Sequence, residues 1–311
     1  MIDFRYHIVS LISVFLALAV GIALGAGPLE ATIGNTLTEQ VAALRAEKDA
    51  LRDELSATGA LSEDRADYVD AASDDLLAGV LPRDVAVVTL PHADDDVVAA
   101  VVRRLGQAGG TVTARVAITE LWIDPDERTF RSSLVGNLAA YLDPGPAPDA
   151  STDAVLGLAL ARALTAPAPE DPGSLGDDAG LLLDVLTSGE LVSVAVTPSR
   201  PADAVVVIGA PAGSATDADE AVAALVEMVD ALAGESEGVV VGGDATTSGG
   251  IVPAVRASEV ADRVATVDTI ADITGQVSVP RALAAAIAGD VGHYGSTGSA
   301  ADVLPPRVSL P

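Results

Sequence analysis

VAVVTLPHADDDVVAAVVRRLGQAGGTVTARVAI, residues 85–118, is the stretch whose reading decides the fold. A short, continuous β-rich run is followed by an acidic turn, a helical run and a second β-rich run. That succession predicts a strand over 85–90, a helix over 95–107 and a strand over 111–118. Uninterrupted apolar strands alternating with helices are the pattern of a parallel sheet buried on both faces.

The alternation continues downstream. Further strands are expected at 191–196, 204–208, 238–241 and 264–267, and further helices at 127–142, 154–164, 175–186, 217–232 and 279–288. The proline-rich stretches 143–151 and 165–174 read as loops inserted in one domain. The fold class is therefore α/β, an open and mostly parallel sheet flanked by helices. Upstream, Ser62 is positioned to cap a helix with Tyr68, Ala72, Leu76 and Val80 on its apolar side, ending near Pro82.

The N-terminus carries a different pattern. From Tyr6 to Leu29 there is no Asp, Glu, Lys or Arg, and the apolar run IVSLISVFLALAVGIALGAG fills 8–27. Twenty helical residues at about 1.5 Å each match a hydrocarbon layer of roughly 30 Å. The run reads as an uncleaved anchor. Its rival is a signal peptide, with Ala23, Gly25 and Gly27 as small residues for cleavage. Arg5 precedes the run, and the first positive charge after it is Arg45. The N-terminus is therefore expected in the cytoplasm and the rest outside the cell membrane. Gly21 and Gly25 form a GxxxG pair, the spacing that lets helix backbones approach in lipid.

Beyond Pro28, which should interrupt the helix, Leu37, Val41, Leu44, Lys48, Leu51 and Leu55 fall on alternating d and a heptad positions. This predicts a short coiled-coil seam and a homodimer; the competing reading is an amphipathic helix packed on its own domain. The expected organisation is an anchor over 1–28, a coiled-coil stalk over 29–60 and an extracytoplasmic α/β domain over 61–311.

Composition narrows the function. The 311 residues carry 17 basic and 45 acidic side chains, a formal net charge of −28. Nucleic acid is excluded as a partner, because phosphate backbones are bound by clustered Lys and Arg and Lys48 is the only lysine. With no cysteine, disulfides, thiolate metal sites and cysteine nucleophiles are excluded. The glycine-rich stretches 209–213 and 242–250 match neither phosphate-loop template. His7, His92 and His293 have no GxSxG elbow beside them, so a non-enzymatic protein is expected.

One local cluster suits a metal: His92, Asp94, Asp95 and Asp96. Imidazole and carboxylates hold borderline or hard divalent ions, whereas Cu(I) prefers thiolate and thioether. The alternative is that the aspartates cap the following helix. The segment GHYGSTGSAADVLPP, 292–306, is either a packed loop or a partner-binding tail, and its residues do not choose between them.

RYHIVSLISVFLALAVGIALG at 5–25, HADDD at 92–96, GQAGG at 106–110, TVDTI at 266–270 and GHYGSTG at 292–298 together resemble the actinobacterial MctB family of copper transport proteins. Its corynebacterial relatives are the SteB proteins. The resemblance implies an extracytoplasmic domain on an N-terminal anchor and a role in copper homeostasis, with copper as the associated metal. Through SteB it also implies a membrane complex with a SteA-like partner that influences cell-wall hydrolysis and cell separation. A multilayered envelope leaves the outer membrane as the other location.

Overall fold

The computed structural model describes residues 4–25, 28–211, 219–247 and 249–311, with the side chains of 28–37 outside that description. The expected helix start at 217, the end of the apolar run at 26–27, part of the glycine stretch 209–213, and Ser248 thus lie outside the described residues. The chain divides into two compact units, Met1–Arg65 and Ala66–Pro311.

Helix α1, Phe4–Gly25, is exposed along its whole length. Its 22 residues extend about 33 Å, enough for a bilayer core of roughly 30 Å. It is the one helix of such length and apolarity among the described residues. Helix α2, Pro28–Leu77, starts on the proline, whose missing N–H is no loss in a first turn.

The separate helix expected from Ser62 is not formed, because α2 runs through that position unbroken. No proline follows Pro28 before Leu77, and the isolated Gly59 costs only about 1 kcal/mol, so nothing halts the helix. It stops at Leu77 rather than near Pro82, because Gly79 takes φ 66 and provides the left-handed turn that closes helices.

The remaining chain forms strands and helices in the expected alternation. They are β1 (Asp84–Thr89), α3 (Asp95–Gln107), β2 (Thr111–Ile118), α4 (Glu120–Ile123), α5 (Arg128–Leu138), α6 (Thr152–Thr165), β3 (Pro167–Ala168), β4 (Asp171–Leu175), α7 (Asp177–Ser188), β5 (Val192–Val196), β6 (Ala204–Ile208), α8 (Asp219–Gly234), β7 (Gly238–Gly242), α9 (Ile251–Arg256), β8 (Val264–Val267), α10 (Ile273–Ile287) and β9 (His293–Tyr294). The main sheet has the order β5-β2-β1-β6-β7-β8-β9, parallel throughout except for β5, which runs antiparallel to β2.

Alternate residues along each central strand serve opposite faces. Val88, Val205, Val207, Val239 and Val241 pack with α6, α7 and α8 residues such as Leu160, Leu186 and Met228. Val85, Val87, Val206, Val240 and Ala265 pack with Leu77, Leu105 and Leu283 from α2, α3 and α10. Both faces are covered, which is why the strands read as unbroken valine runs rather than as alternating patterns.

Three further expectations are corrected. The stretch 165–174 is not a loop: β3 and β4 pair as a small antiparallel ribbon, Pro167 against Leu175. Proline there sits at the first residue of a two-residue strand, where it is tolerated. Helix α10 begins at Ile273, not 279, with Pro280 inside it. Burial of Val277, Val279 and Leu283 outweighs the hydrogen bond that Pro280 cannot make. Helix α5 is shorter than 127–142, and 3-10 turns at Pro125–Glu127 and Ala139–Tyr141 flank it.

Candidate functional site

From β1 the chain goes to β2 on one side, and β6, β7 and β8 then build out on the other. The order therefore reverses between β1 and β6. In open α/β sheets, the loops leaving the strand C-terminal ends part at such a reversal and leave a crevice. A cavity of 90 Å³ lies there, lined by Asp94 and Val97 after β1, Gly209 to Pro211 after β6, Gly243 and Asp244 after β7, and Asp268 and Ile270 after β8. A smaller one of 30 Å³ shares Ala210 and Asp244 and adds Leu90, Gly250 and Ile251. Gly209 is needed for this closeness, since a Cβ there would come within 2.8 Å of Ile251 Cγ2.

Each of the three aspartates has a local task. Asp94 caps α3, its Oδ1 accepting from Asp96 N–H at 2.8 Å and Val97 N–H at 3.4 Å. Asp244 accepts from the Thr246 hydroxyl at 2.7 Å and from Thr247 N–H at 3.1 Å. Burial pushes the Asp244 carboxyl up, but these hydrogen bonds outweigh it and hold it below the ordinary carboxylate value. No basic side chain lines the 90 Å³ cavity among the described residues. Its electrostatics therefore disfavour a phosphate ligand.

Asp268 is the most enclosed of the three, its side chain fully buried. Its carboxylate accepts from Ser296 N–H at 2.9 Å, Thr297 N–H at 3.3 Å, the Thr297 hydroxyl, and Arg256 Nη1 at 3.1 Å. Burial raises this carboxyl and the hydrogen bonds more than reverse that, leaving it below the usual range. Arg256 also donates from Nε to Thr266 Oγ1 at 2.8 Å, from Nη1 to Ser299 Oγ at 2.8 Å and from Nη2 to the Tyr294 carbonyl at 3.0 Å. His293 Nδ1 lies 3.0 Å from the same Thr266 hydroxyl. Burial, and after it the Arg256 charge, hold this imidazole below its ordinary value.

These bonds resolve what residues 292–306 do. His293 and Tyr294 form edge strand β9 beside β8, and the following GST turn wraps the Asp268 carboxylate. Gly295, at φ 139, is the hinge of that wrap, because a Cβ there would run into the carboxylate.

The sequence-predicted metal ligands are placed apart in role. His92 takes φ 62 and sets Nε2 3.0 Å from Glu120 Oε1. Asp94 is committed to the α3 cap, and Asp95 and Asp96 stand in the first turn, where negative charge complements the helix dipole. Among the described residues, no three His, Asp or Glu side chains come together to hold a metal ion.

Of the self-association positions, Gly21 and Gly25 have nothing within 4 Å of where a Cβ would be. Val41, Leu44, Leu51 and Leu55 are exposed at 38%, 63%, 58% and 73%. Lys48 is exposed too, and the Leu37 side chain lies outside the described residues. Sequence reasoning missed Asp268 and Arg256. The available signal was an aspartate directly after a buried strand at 264–267, at the end of the sheet where open α/β folds keep their sites.

An N-terminal helix of bilayer-spanning length, joined to an α/β unit with its crevice at the strand-order reversal, defines the class: a mixed α/β protein with one apolar anchor-length helix. The chain belongs to the MctB family, whose model, described as "Copper transport outer membrane protein, MctB", matches residues 1–305. It is 31% identical to the copper transporter MctB of Mycobacterium tuberculosis (strain H37Rv), covering 95% of this chain and 96% of that one. The Mycobacterium bovis copper transporter MctB matches to the same extent, and that of Mycobacterium leprae is 34% identical over 145 residues, 44% of each chain.

Proposed function

We propose that this chain works in copper transport as a non-enzymatic, membrane-anchored protein of the MctB type. The observation that carries the reading is the family match over residues 1–305, which includes both the apolar helix and the GHYGSTG closure. In this reading α1 spans the membrane with its N-terminus in the cytoplasm, and the α/β unit faces outward. Copper is cargo. The chain has no cysteine, and its one methionine after Met1, Met228, is fully buried in α8, so in this reading soft donors for Cu(I) come from a partner.

One helix cannot enclose a conduit, so the active form is an oligomer. Gly21 and Gly25 would form the contact in the membrane, and Leu37, Val41, Leu44, Lys48, Leu51 and Leu55 the coiled-coil seam above it. Copper content of cells lacking the protein, measured by mass spectrometry, tests this. Loss should raise cell copper several-fold, and the intact chain should restore it.

A second reading is favoured by the lack of a three-donor cluster among the described residues. In it, the same dimer is a SteB-like scaffold that docks a SteA-like partner to regulate cell-wall hydrolysis and cell separation. Unchanged copper together with chained, unseparated cells would select this reading.

A further inference from the structure

Three carboxylates line the 90 Å³ cavity at the strand ends, and only one of them is offset by a positive charge. Asp268 has Arg256. Asp94 and Asp244 reach the cavity from different strands, after β1 and after β7, and no basic side chain lines it among the described residues. Burial raises the Asp244 carboxyl, but the hydrogen bonds from Thr246 and Thr247 more than reverse that, so it is ionised near neutral pH. Asp94 spends Oδ1 on both cap bonds, which leaves its Oδ2 without a hydrogen bond among the described residues.

The walls between these carboxylates are apolar: Val97, Ala210, Pro211, Ile270 and Ala271. Charge, lining and size then select among ligands. An anion is repelled, and the N–H groups of residues 96 and 97 that could have held one at the start of α3 are taken by Asp94. A bare metal ion lacks donors, since no three His, Asp or Glu side chains come together among the described residues. A quaternary ammonium is best held by aromatic faces, and no aromatic side chain lines the cavity among the described residues. A primary ammonium instead brings three N–H donors for carboxylate oxygens, while an attached alkyl chain lies along apolar walls.

We propose that this crevice binds a small primary alkylammonium compound, its nitrogen held by Asp94 and Asp244 and its chain against Val97, Ala210 and Ile270. An apolar cavity of about 150 Å³ holds benzene, so one of 90 Å³ takes about four or five non-hydrogen atoms. Longer amines extend out past Asp94 and Ala271, which are exposed. The site stands whether or not copper is the cargo of the chain.

The test titrates the full chain in detergent with n-butylammonium chloride at constant ionic strength, followed by saturation-transfer NMR and by melting temperature. Saturable binding at about millimolar concentration is expected for so small a ligand. The neutral n-butanol and the donor-free tetramethylammonium should each bind about tenfold more weakly or worse, because neither makes the charge-assisted hydrogen bonds.

Two variants locate the binding. Asp94→Asn keeps a good N-cap residue and removes only the charge, so the fold should hold while affinity falls about tenfold. Ala271→Leu adds bulk at an exposed wall position and should abolish binding without changing the melting temperature of the free chain. Butanol binding as tightly as butylammonium, equal binding by wild type and both variants, no saturation by wild type, or displacement by magnesium at equal ionic strength would each overturn the site.

Discussion

Arg256 Nη1 lies 3.1 Å from Asp268 Oδ2, with the two side chains 5% and 0% exposed, so α9 and the end of β8 are joined by an ion pair sealed from water. Removing one partner of such a pair leaves a buried charge without compensation, at a cost of about 3–5 kcal/mol. Arg256→Leu should therefore lower the melting temperature of the purified chain sharply. Arg256→Leu combined with Asp268→Asn should recover part of the loss. A double variant no better than Arg256→Leu alone would count against the pairing.

The same cluster sets a pH dependence. His293 is held below its ordinary value, so the unfolded chain binds a proton first as pH falls from about 7. Its contribution is complete above the ordinary imidazole value and is lost as pH drops through that value toward the folded one. Asp268 is also depressed, so its contribution is present above the ordinary carboxylate value and lost at lower pH, as acidity reaches its folded value. Melting curves should show one decline beginning near pH 6.5 and another in the acid range. His293→Gln should remove the first and leave the second.

Gly295→Ala should destabilise the fold by about 1–3 kcal/mol, since the backbone at φ 139 resists a side chain and Asp268 occupies the space. Gly298→Ala, three residues on, meets nothing within 4 Å and should be close to neutral. Urea unfolding of the two variants side by side gives the comparison.

The chain has no cysteine, so a single introduced one reports contacts cleanly. If α2 pairs in parallel with a second copy, Leu44→Cys and Leu51→Cys at seam positions should give disulfide-linked dimers in membranes. Ala46→Cys, at the f position on the far side of the heptad, should not. Gel mobility without reductant distinguishes them, and monomers at all three positions would remove the coiled-coil dimer.

His92→Ala should leave copper titration of the full chain unchanged. The ring meets Glu120, and the nearest aspartate is engaged in capping α3. A lost copper site in this variant would restore HADDD as a ligand set.

How legible the fold was depended on burial. Thr111–Ile118, Ala204–Ile208, Val264–Val267 and Asp95–Gln107 have the bounds that the sequence predicts. In each, local preference and tertiary burial point the same way. Reading failed where they diverge. Helix α10 is expected from 279 but begins at Ile273 with Pro280 inside it, and α9, with Pro253 in its first turn and only 6 residues, is too short to show a period. Strand β9 has 2 residues next to glycine. The site was harder still. Asp268 meets Arg256 from 12 positions away and Thr297 from 29, separations that no local pattern encodes.

Strand β9 and its return have an effect on the sheet as a whole. Ala301 N–H bonds the His293 carbonyl at 2.8 Å and Gly295 N–H bonds the Asp302 carbonyl at 2.9 Å, so the backbone folds over its own last strand. One rim of the sheet is thereby closed to further pairing, while β5 stands at the other rim with neither lysine nor proline in Val192–Val196 to guard it. Misassembly through the sheet thus has a single direction in which to grow, and any variant that frees residues 293–302 gives it a second.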